Sequence, residues 1–212
     1  MTLTLHDYWR SGASWRTRIA LNLKGLAYTQ VAHNLRTGEQ RAPVYAELNP
    51  QGLVPALEVD GAVLTQSPAI LEWLEETYPD PPLLPADPLA RAQVRAMAAI
   101  VACDIHPLNN LRVLGSLRSD MGASDAAVSA WIARWIDSGF AALEQLIARH
   151  GGRFCFGDTP TLADCCLVPQ VASARRFEVD LAAYPRIVRV ADACGELPAF
   201  ARAHAAVQPD AD

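Results

Sequence analysis

The residues Trp9-Arg-Ser-Gly-Ala-Ser-Trp-Arg-Thr-Arg-Ile-Ala-Leu21 stand between a strand-like pattern and a helix-like one. Before them, residues 3–8 alternate apolar and polar side chains, as a half-buried strand does. After the loop, residues 14–24 carry Ile19, Ala20 and Leu23 at helical spacing and stop at Gly25, a residue suited to the left-handed position past a helix end. A strand-to-helix turn leaves the first N–H groups of the helix unpaired and places the positive end of its dipole at the loop. Ser11, Gly12, Ala13 and Ser14 fill that turn, so it offers hydroxyls and N–H groups but no cysteine. Such a turn can stabilise a thiolate and cannot supply one. The plainer alternative is that Ser11 or Ser14 only caps the helix.

Residues 28–33 alternate again, and a loop-rich stretch follows. Residues 55–59 and 62–65 read as two strands joined by a hairpin turn at Asp60-Gly61. Ser67-Pro68 then reads as the N-cap and first residue of a helix running to about Tyr78. The stretch 79–88, PDPPLLPADP, has neither helical nor strand period and predicts an extended linker. Beyond it, residues 89–118, 124–149, 161–177, 187–194 and 198–205 keep the apolar spacing of helices, and Thr161-Leu-Ala-Asp164 has the form of a capping box. The predicted architecture is an α/β domain of thioredoxin-like order over 1–80, a linker over 81–88 and an all-helical domain over 89–212.

The composition narrows the function. In 212 residues, 51% are hydrophobic and 19% charged, which excludes intrinsic disorder. The net charge of -5 and the lack of a basic stripe argue against nucleic acid or an anionic membrane as partner. No basic, apolar-cored leader and no long apolar run occurs, so a cytoplasmic protein is expected. Cys103, Cys155, Cys165, Cys166 and Cys194 are odd in number and form no C-x-x-C, which argues against a disulfide framework and a zinc site, and no metal ligands are expected. Partners should be small molecules or protein.

Two further segments suit a peptide-like ligand. In Leu48-Asn-Pro-Gln-Gly-Leu-Val54-Pro55, a proline directly before a strand fits a sharp turn with a cis Val54-Pro55 bond, which would expose the Val54 backbone. Gln66-Ser67 opens the next helix, where a hydroxyl and free N–H groups make a carboxylate site.

Together the motifs R-S-x-x-S-x-R-x-R-I-A-L from Arg10, L-N-P-x-x-x-V-P from Leu48, Q-S-x-A-I-x-E-W-L-E-E from Gln66 and G-D-x-x-T-L-A-D-x-x-L-V-P-Q-V from Gly157 resemble zeta-class glutathione transferases, the family of maleylacetoacetate and maleylpyruvate isomerases. The resemblance runs over nearly the whole chain. It implies a thioredoxin-like domain followed by a helical one, a homodimer, and glutathione as cofactor. It also implies that Ser11 bonds the glutathione sulfur, that Gln66 and Ser67 hold the γ-glutamyl end, and that the Val54 backbone pairs with the cysteinyl portion. Gln40 would lie near the glycyl end, and Asn109 would add a polar contact. The chain departs from the family at Gly12-Ala13, where zeta enzymes usually show Ser-Cys, and so leans toward the maleylpyruvate branch.

The implied reaction suits these residue types. A thiolate adds to a cis double bond conjugated to a carbonyl, the resulting single bond rotates, and the thiolate leaves. A small dianionic maleyl-type substrate also needs cationic clamps, and arginine meets a carboxylate with a planar fork. By resemblance the clamps are Arg10, Arg112 and Arg176, each of which could instead be a solvated surface arginine. His106 could donate a hydrogen bond to the enolate oxygen, or be a satisfied histidine at a kink made by Pro107. Two other readings stay open: a transferase conjugating glutathione to small electrophiles, and a non-catalytic interaction module on the same fold.

Overall fold

The computed structural model describes all 212 residues, Met1–Asp212. They form two compact units, residues 1–83 with 196–212, and residues 84–195.

In the first unit the elements run β1 (Leu3–Asp7), α1 (Gly12–Leu23), β2 (Thr29–Ala32), α2 (Pro43–Leu48), β3 (Ala56–Val59), β4 (Ala62–Thr65) and α3 (Ser67–Thr77). The sheet order is β2-β1-β3-β4, with β1 parallel to β2 and antiparallel to β3, and β3 antiparallel to β4. This is the expected thioredoxin-like order. Because side chains alternate across a strand, Leu3, Leu5 and Asp7 share one face of β1, and Thr4 and His6 the other. Asp7 meets Arg18 of α1, whereas His6 lies against Tyr45 of α2. Ile19, Leu21, Leu57, Ile70 and Leu74 have no exposed surface and form the centre of the core. The hairpin turn carries positive φ at both Asp60 (47°) and Gly61 (89°), as a two-residue turn between right-twisted strands requires.

Three expectations need correcting in this unit. The stretch read as loop contains α2, too short for periodicity to reveal. The N-cap of α3 is Gln66, with Ser67 the first helical residue. The C-terminal residues 196–212, expected in the helical domain, group with the first unit. Their attachment is specific: Asn22 Nδ2 donates to the Ala199 carbonyl at 3.0 Å, and Arg18 Nε to that of Ala203 at 3.2 Å. Ala199, Phe200 and Ala203 of α9 (Pro198–Ala203) are buried.

The second unit is helical: α4 (Pro88–Ala99), α5 (Leu111–Ser119), α6 (Asp125–His150), α7 (Leu162–Arg176) and α8 (Pro185–Gly195). The helix expected over 89–118 is interrupted. Ile100–Ile105 widens into a π turn, marked by the His106 N–H bonding the Val101 carbonyl at 2.9 Å, and Pro107–Asn109 tightens into a 3-10 turn. Proline at 107 has no N–H to continue the helical pattern. Gly139 of α6 faces the π turn, where a side chain would collide with Ile105. The capping box of α7 is present, and the buried Asp164 carboxylate accepts from the N–H groups of Cys155 and Thr161, each at 2.8 Å, and from the Thr161 hydroxyl at 2.9 Å. No helix is long and apolar enough to cross a membrane.

Candidate active site

The strand register places the loops. His6, Ala56 and Thr65 stand side by side across β1, β3 and β4, so the end of β1, the start of β3 and the end of β4 share one edge of the sheet. From that edge the chain continues to Ser11, reaches back to Val54-Pro55, and turns at Gln66-Ser67. Ser11, Val54, Gln66 and Ser67 are thereby brought to one side of the first unit.

Ser11 is the N-cap of α1 in extended backbone, and its Oγ accepts the Ser14 N–H at 3.2 Å. Its carbonyl accepts from the Trp15 N–H at 2.8 Å. The cap therefore occupies a lone pair of Oγ and leaves the hydroxyl hydrogen to donate. Gly12 and Ala13 begin the helix, and N–H groups at such positions lack intrahelical acceptors. The first turn thus combines an O–H donor with unpaired N–H groups at the positive end of a dipole, which favours an anion. Arg10, next to it, lays its guanidinium over the Trp9 ring, 5.3 Å from the centroid.

The Val54-Pro55 bond is cis. The neighbouring Leu53 carbonyl accepts from the Tyr45 hydroxyl and from Asn49 Nδ2, both at 2.6 Å, and Asn49 Oδ1 accepts the Gln51 N–H at 3.1 Å. Burial pushes the Tyr45 phenol up to about 12, so it remains a donor. Sequence reasoning missed Tyr45 because its helix was unseen; the Asn49-Pro50 pair was the available turn signal. Gly52 (φ +62°) packs against the Gln40 carbonyl, which brings the 3-10 turn Glu39–Arg41 beside this loop.

Gln66 adopts φ 66° and ψ 107°, a conformation that residues with a side chain rarely take, and its Nε2 donates to Gln51 Oε1. Ser67 is buried. Gln40 has a buried Oε1 with no hydrogen-bond partner. A buried acceptor without a donor is costly, and a polar ligand would satisfy it.

The other four candidates belong to the second unit. His106 follows the π turn, and Asn109 ends the 3-10 turn with both amide atoms buried and unpartnered. Arg112 is exposed in the first turn of α5, where its N–H bonds Asn110 Oδ1 at 3.1 Å. Arg176 closes α7, exposed, its guanidinium 4.4 Å above the Phe177 ring. His106, Asn109 and Arg112 thus lie on one connected stretch. All five cysteines are free thiols, four of them buried. Burial is the main cause pushing Cys155, Cys165 and Cys194 upward, away from the thiolate form.

Residues 10–77 match the family described as glutathione S-transferase, N-terminal domain, and residues 123–193 the corresponding C-terminal domain. The chain belongs to the glutathione S-transferase family. Among its relatives, the maleylpyruvate isomerase of a Ralstonia species is 59% identical over 98% of this chain and 99% of its own. The maleylacetoacetate isomerase of Pseudomonas aeruginosa is 55% identical, with 98% of each chain covered. A holo maleylpyruvate isomerase, described as a bacterial zeta-class glutathione S-transferase, is similar in structure with a TM-score of 0.97 at 58% identity, covering 99% of this chain and 100% of that one. A maleylacetoacetate isomerase from Methylobacterium extorquens, solved with malonate and glutathione, gives 0.94 at 43% identity and 99% coverage of both. This glutathione S-transferase is thus of the zeta kind, with no cysteine in the first turn of α1.

Proposed function

We propose that this glutathione S-transferase is a glutathione-dependent cis–trans isomerase that converts a small maleyl-type dianion, maleylpyruvate or maleylacetoacetate, to its fumaryl isomer. The observation that carries the reading is Ser11: its Oγ is capped by a backbone N–H, so its one hydrogen remains to donate at the positive end of α1. The names of full-length relatives agree with it. The buried, unpartnered Oε1 of Gln40 in the first unit fits a polar cofactor.

When bound, glutathione supplies the thiolate that adds to the cis double bond, lets the resulting single bond rotate, and leaves regenerated. Ser11 donates a hydrogen bond to the sulfur and so favours the ionised form. Val54 offers its backbone to the cysteinyl portion, Gln66 and Ser67 hold the γ-glutamyl end, and Gln40 takes the glycyl end. Arg10, Arg112 and Arg176 bind the substrate carboxylates, and His106 donates to the carbonyl oxygen on which negative charge grows. The enzyme works in the cytoplasm as a homodimer, and light scattering would measure its dimeric mass.

The test is isomerisation of both cis acids by the purified protein with and without glutathione. Arg176→Ala should lower kcat/KM about 10–100-fold, the worth of one charge-assisted carboxylate clamp, while glutathione affinity stays as in the parent. Equal loss of both would assign Arg176 to structure. Absence of glutathione-dependent isomerisation beside robust conjugation of electrophilic halides would make the chain a conjugating transferase instead.

A further inference from the structure

The peptide of Trp9, two residues before Ser11, is held from both sides. Its N–H donates to Oδ2 of Asp210 at 2.9 Å, and its carbonyl accepts from Nη2 of Arg18 at 2.7 Å. Both partners are themselves anchored. Arg18 has no exposed side-chain surface; its Nη1 meets Asp7 Oδ2 at 2.7 Å and its Nε the Ala203 carbonyl. Gln30 Nε2 reaches Asp7 at 3.3 Å and Gln208 Oε1 at 3.0 Å, and Gln208 Nε2 donates to the carbonyls of Arg202 and His204. The His204 ring meets Trp15 edge-on, 4.8 Å between centroids. A strap of C-terminal residues is thus fastened to β2 and to α1, and it delivers Asp210 to the loop that precedes Ser11.

Asp210 is not needed to neutralise Arg18, because Asp7 already does so at bonding distance. Placing a second carboxylate close by costs repulsion: the Asp7 carboxyl is raised mainly by burial, and Asp210 pushes it further while Arg18 pulls it down. What Asp210 adds is a fixed acceptor for one backbone N–H, in a loop where such a group would otherwise bond water. With Ser11 N–H bonded to the Tyr8 carbonyl at 3.0 Å, the segment from Tyr8 to Ser11 has little freedom left.

We propose that Asp210 is a positioning residue: together with Arg18 it fixes the Trp9 peptide and thereby sets where the N-terminus of α1 presents the Ser11 hydroxyl and the Arg10 guanidinium. The inference rests on the reading of Ser11 as the sulfur's partner. Asp210 acts only through the Trp9 peptide, and the sensitivity of catalysis to geometry is the reason it matters, since a displacement of about 1 Å can cost about 100-fold.

The test uses the full chain with Asp210→Ala, Asp210→Asn, Asp212→Ala and Ser11→Ala. Asp212 lies on the same tail and pairs with the exposed Arg36 at 2.6 Å, so it controls for general loosening of the tail. In Asp210→Ala the Trp9 amide should exchange faster in the ligand-free protein, and the bound glutathione thiol, followed by thiolate absorbance, should titrate higher. The kcat should fall about 10-fold with KM for the maleyl acid unchanged. Asp210→Asn keeps an oxygen acceptor and should restore most of this; Asp212→Ala should match the parent. Faster Trp9 exchange with parental kcat and thiol titration would overturn the proposal, as would equal defects in the alanine and asparagine variants or losses that only track the folded fraction. If Ser11→Ala leaves the thiol titration unchanged, the reading of Ser11 itself falls and the proposal with it; if only Asp210→Ala does so, the clamp alone is refuted.

Discussion

Replacing Ser11 by alanine removes two things at once, and the structure gives each a size. The first is the cap: Oγ accepts the Ser14 N–H at 3.2 Å, and losing such a cap costs about 1 kcal/mol of stability. The second is the hydroxyl hydrogen, which the cap leaves uncommitted. A hydrogen bond to a charged acceptor is worth about 1.5–3 kcal/mol, so without it the bound thiol should titrate about 1–2 units higher. At neutral pH the thiolate fraction, and kcat/KM with it, then falls about 10–100-fold. Ser11→Asp separates the two effects, since a carboxylate caps as well as a hydroxyl and suits the helix dipole, yet repels a neighbouring thiolate. The expected pattern is a lowered urea midpoint only in Ser11→Ala, and a raised thiol titration in both, larger for aspartate. Thiolate absorbance on glutathione binding reads the titration, and urea unfolding reads the cap. A destabilised Ser11→Ala protein whose bound thiol titrates as in the parent would show that Ser11 only caps, and the reasoning about its free hydrogen would be refuted.

Asp164→Ala strands the N–H groups of Cys155 and Thr161 in the core, at about 1–3 kcal/mol each, so urea unfolding should report a loss of about 2–6 kcal/mol with near-parental glutathione affinity in the folded fraction; a loss below about 1 kcal/mol would contradict the burial argument. His6 Nδ1 and His33 Nε2 lie 3.0 Å apart, and burial is the main cause holding both below the ordinary 6.5. A depressed folded value means that stability is present above about pH 6.5 and is lost as pH falls through the lowered values. His33→Gln should therefore flatten the fall of the urea midpoint between about pH 7.5 and about 5.5, and identical slopes for parent and variant would refute the coupling.

Much of this molecule was legible locally. The alternation of residues 3–8, the Asp60-Gly61 turn and the box from Thr161 to Asp164 are signals carried by neighbours in sequence, and each produced the expected element. The short helix α2 and the π turn at Ile100–Ile105 escaped, the first because six residues hold too little periodicity, the second because its pattern differs from a helix by one residue in a turn.

The candidate site divides in the same way. Ser11, Val54-Pro55 and Gln66-Ser67 could be picked out singly, since each sits at a helix start or a proline turn whose chemistry is local. That they share one sheet edge follows from the register aligning His6, Ala56 and Thr65, and no local signal contains a register. Which groups could meet a thiolate, and that none of them is a cysteine of the first turn, was readable from the residues alone. That Tyr45 and Asn49 hold the Leu53 carbonyl, and that a carboxylate at position 210 grips the backbone at position 9, emerged with the folded chain. Contacts that span the length of the chain depend on how burial and hydrogen bonding close the whole unit, and no window of neighbouring residues carries that information.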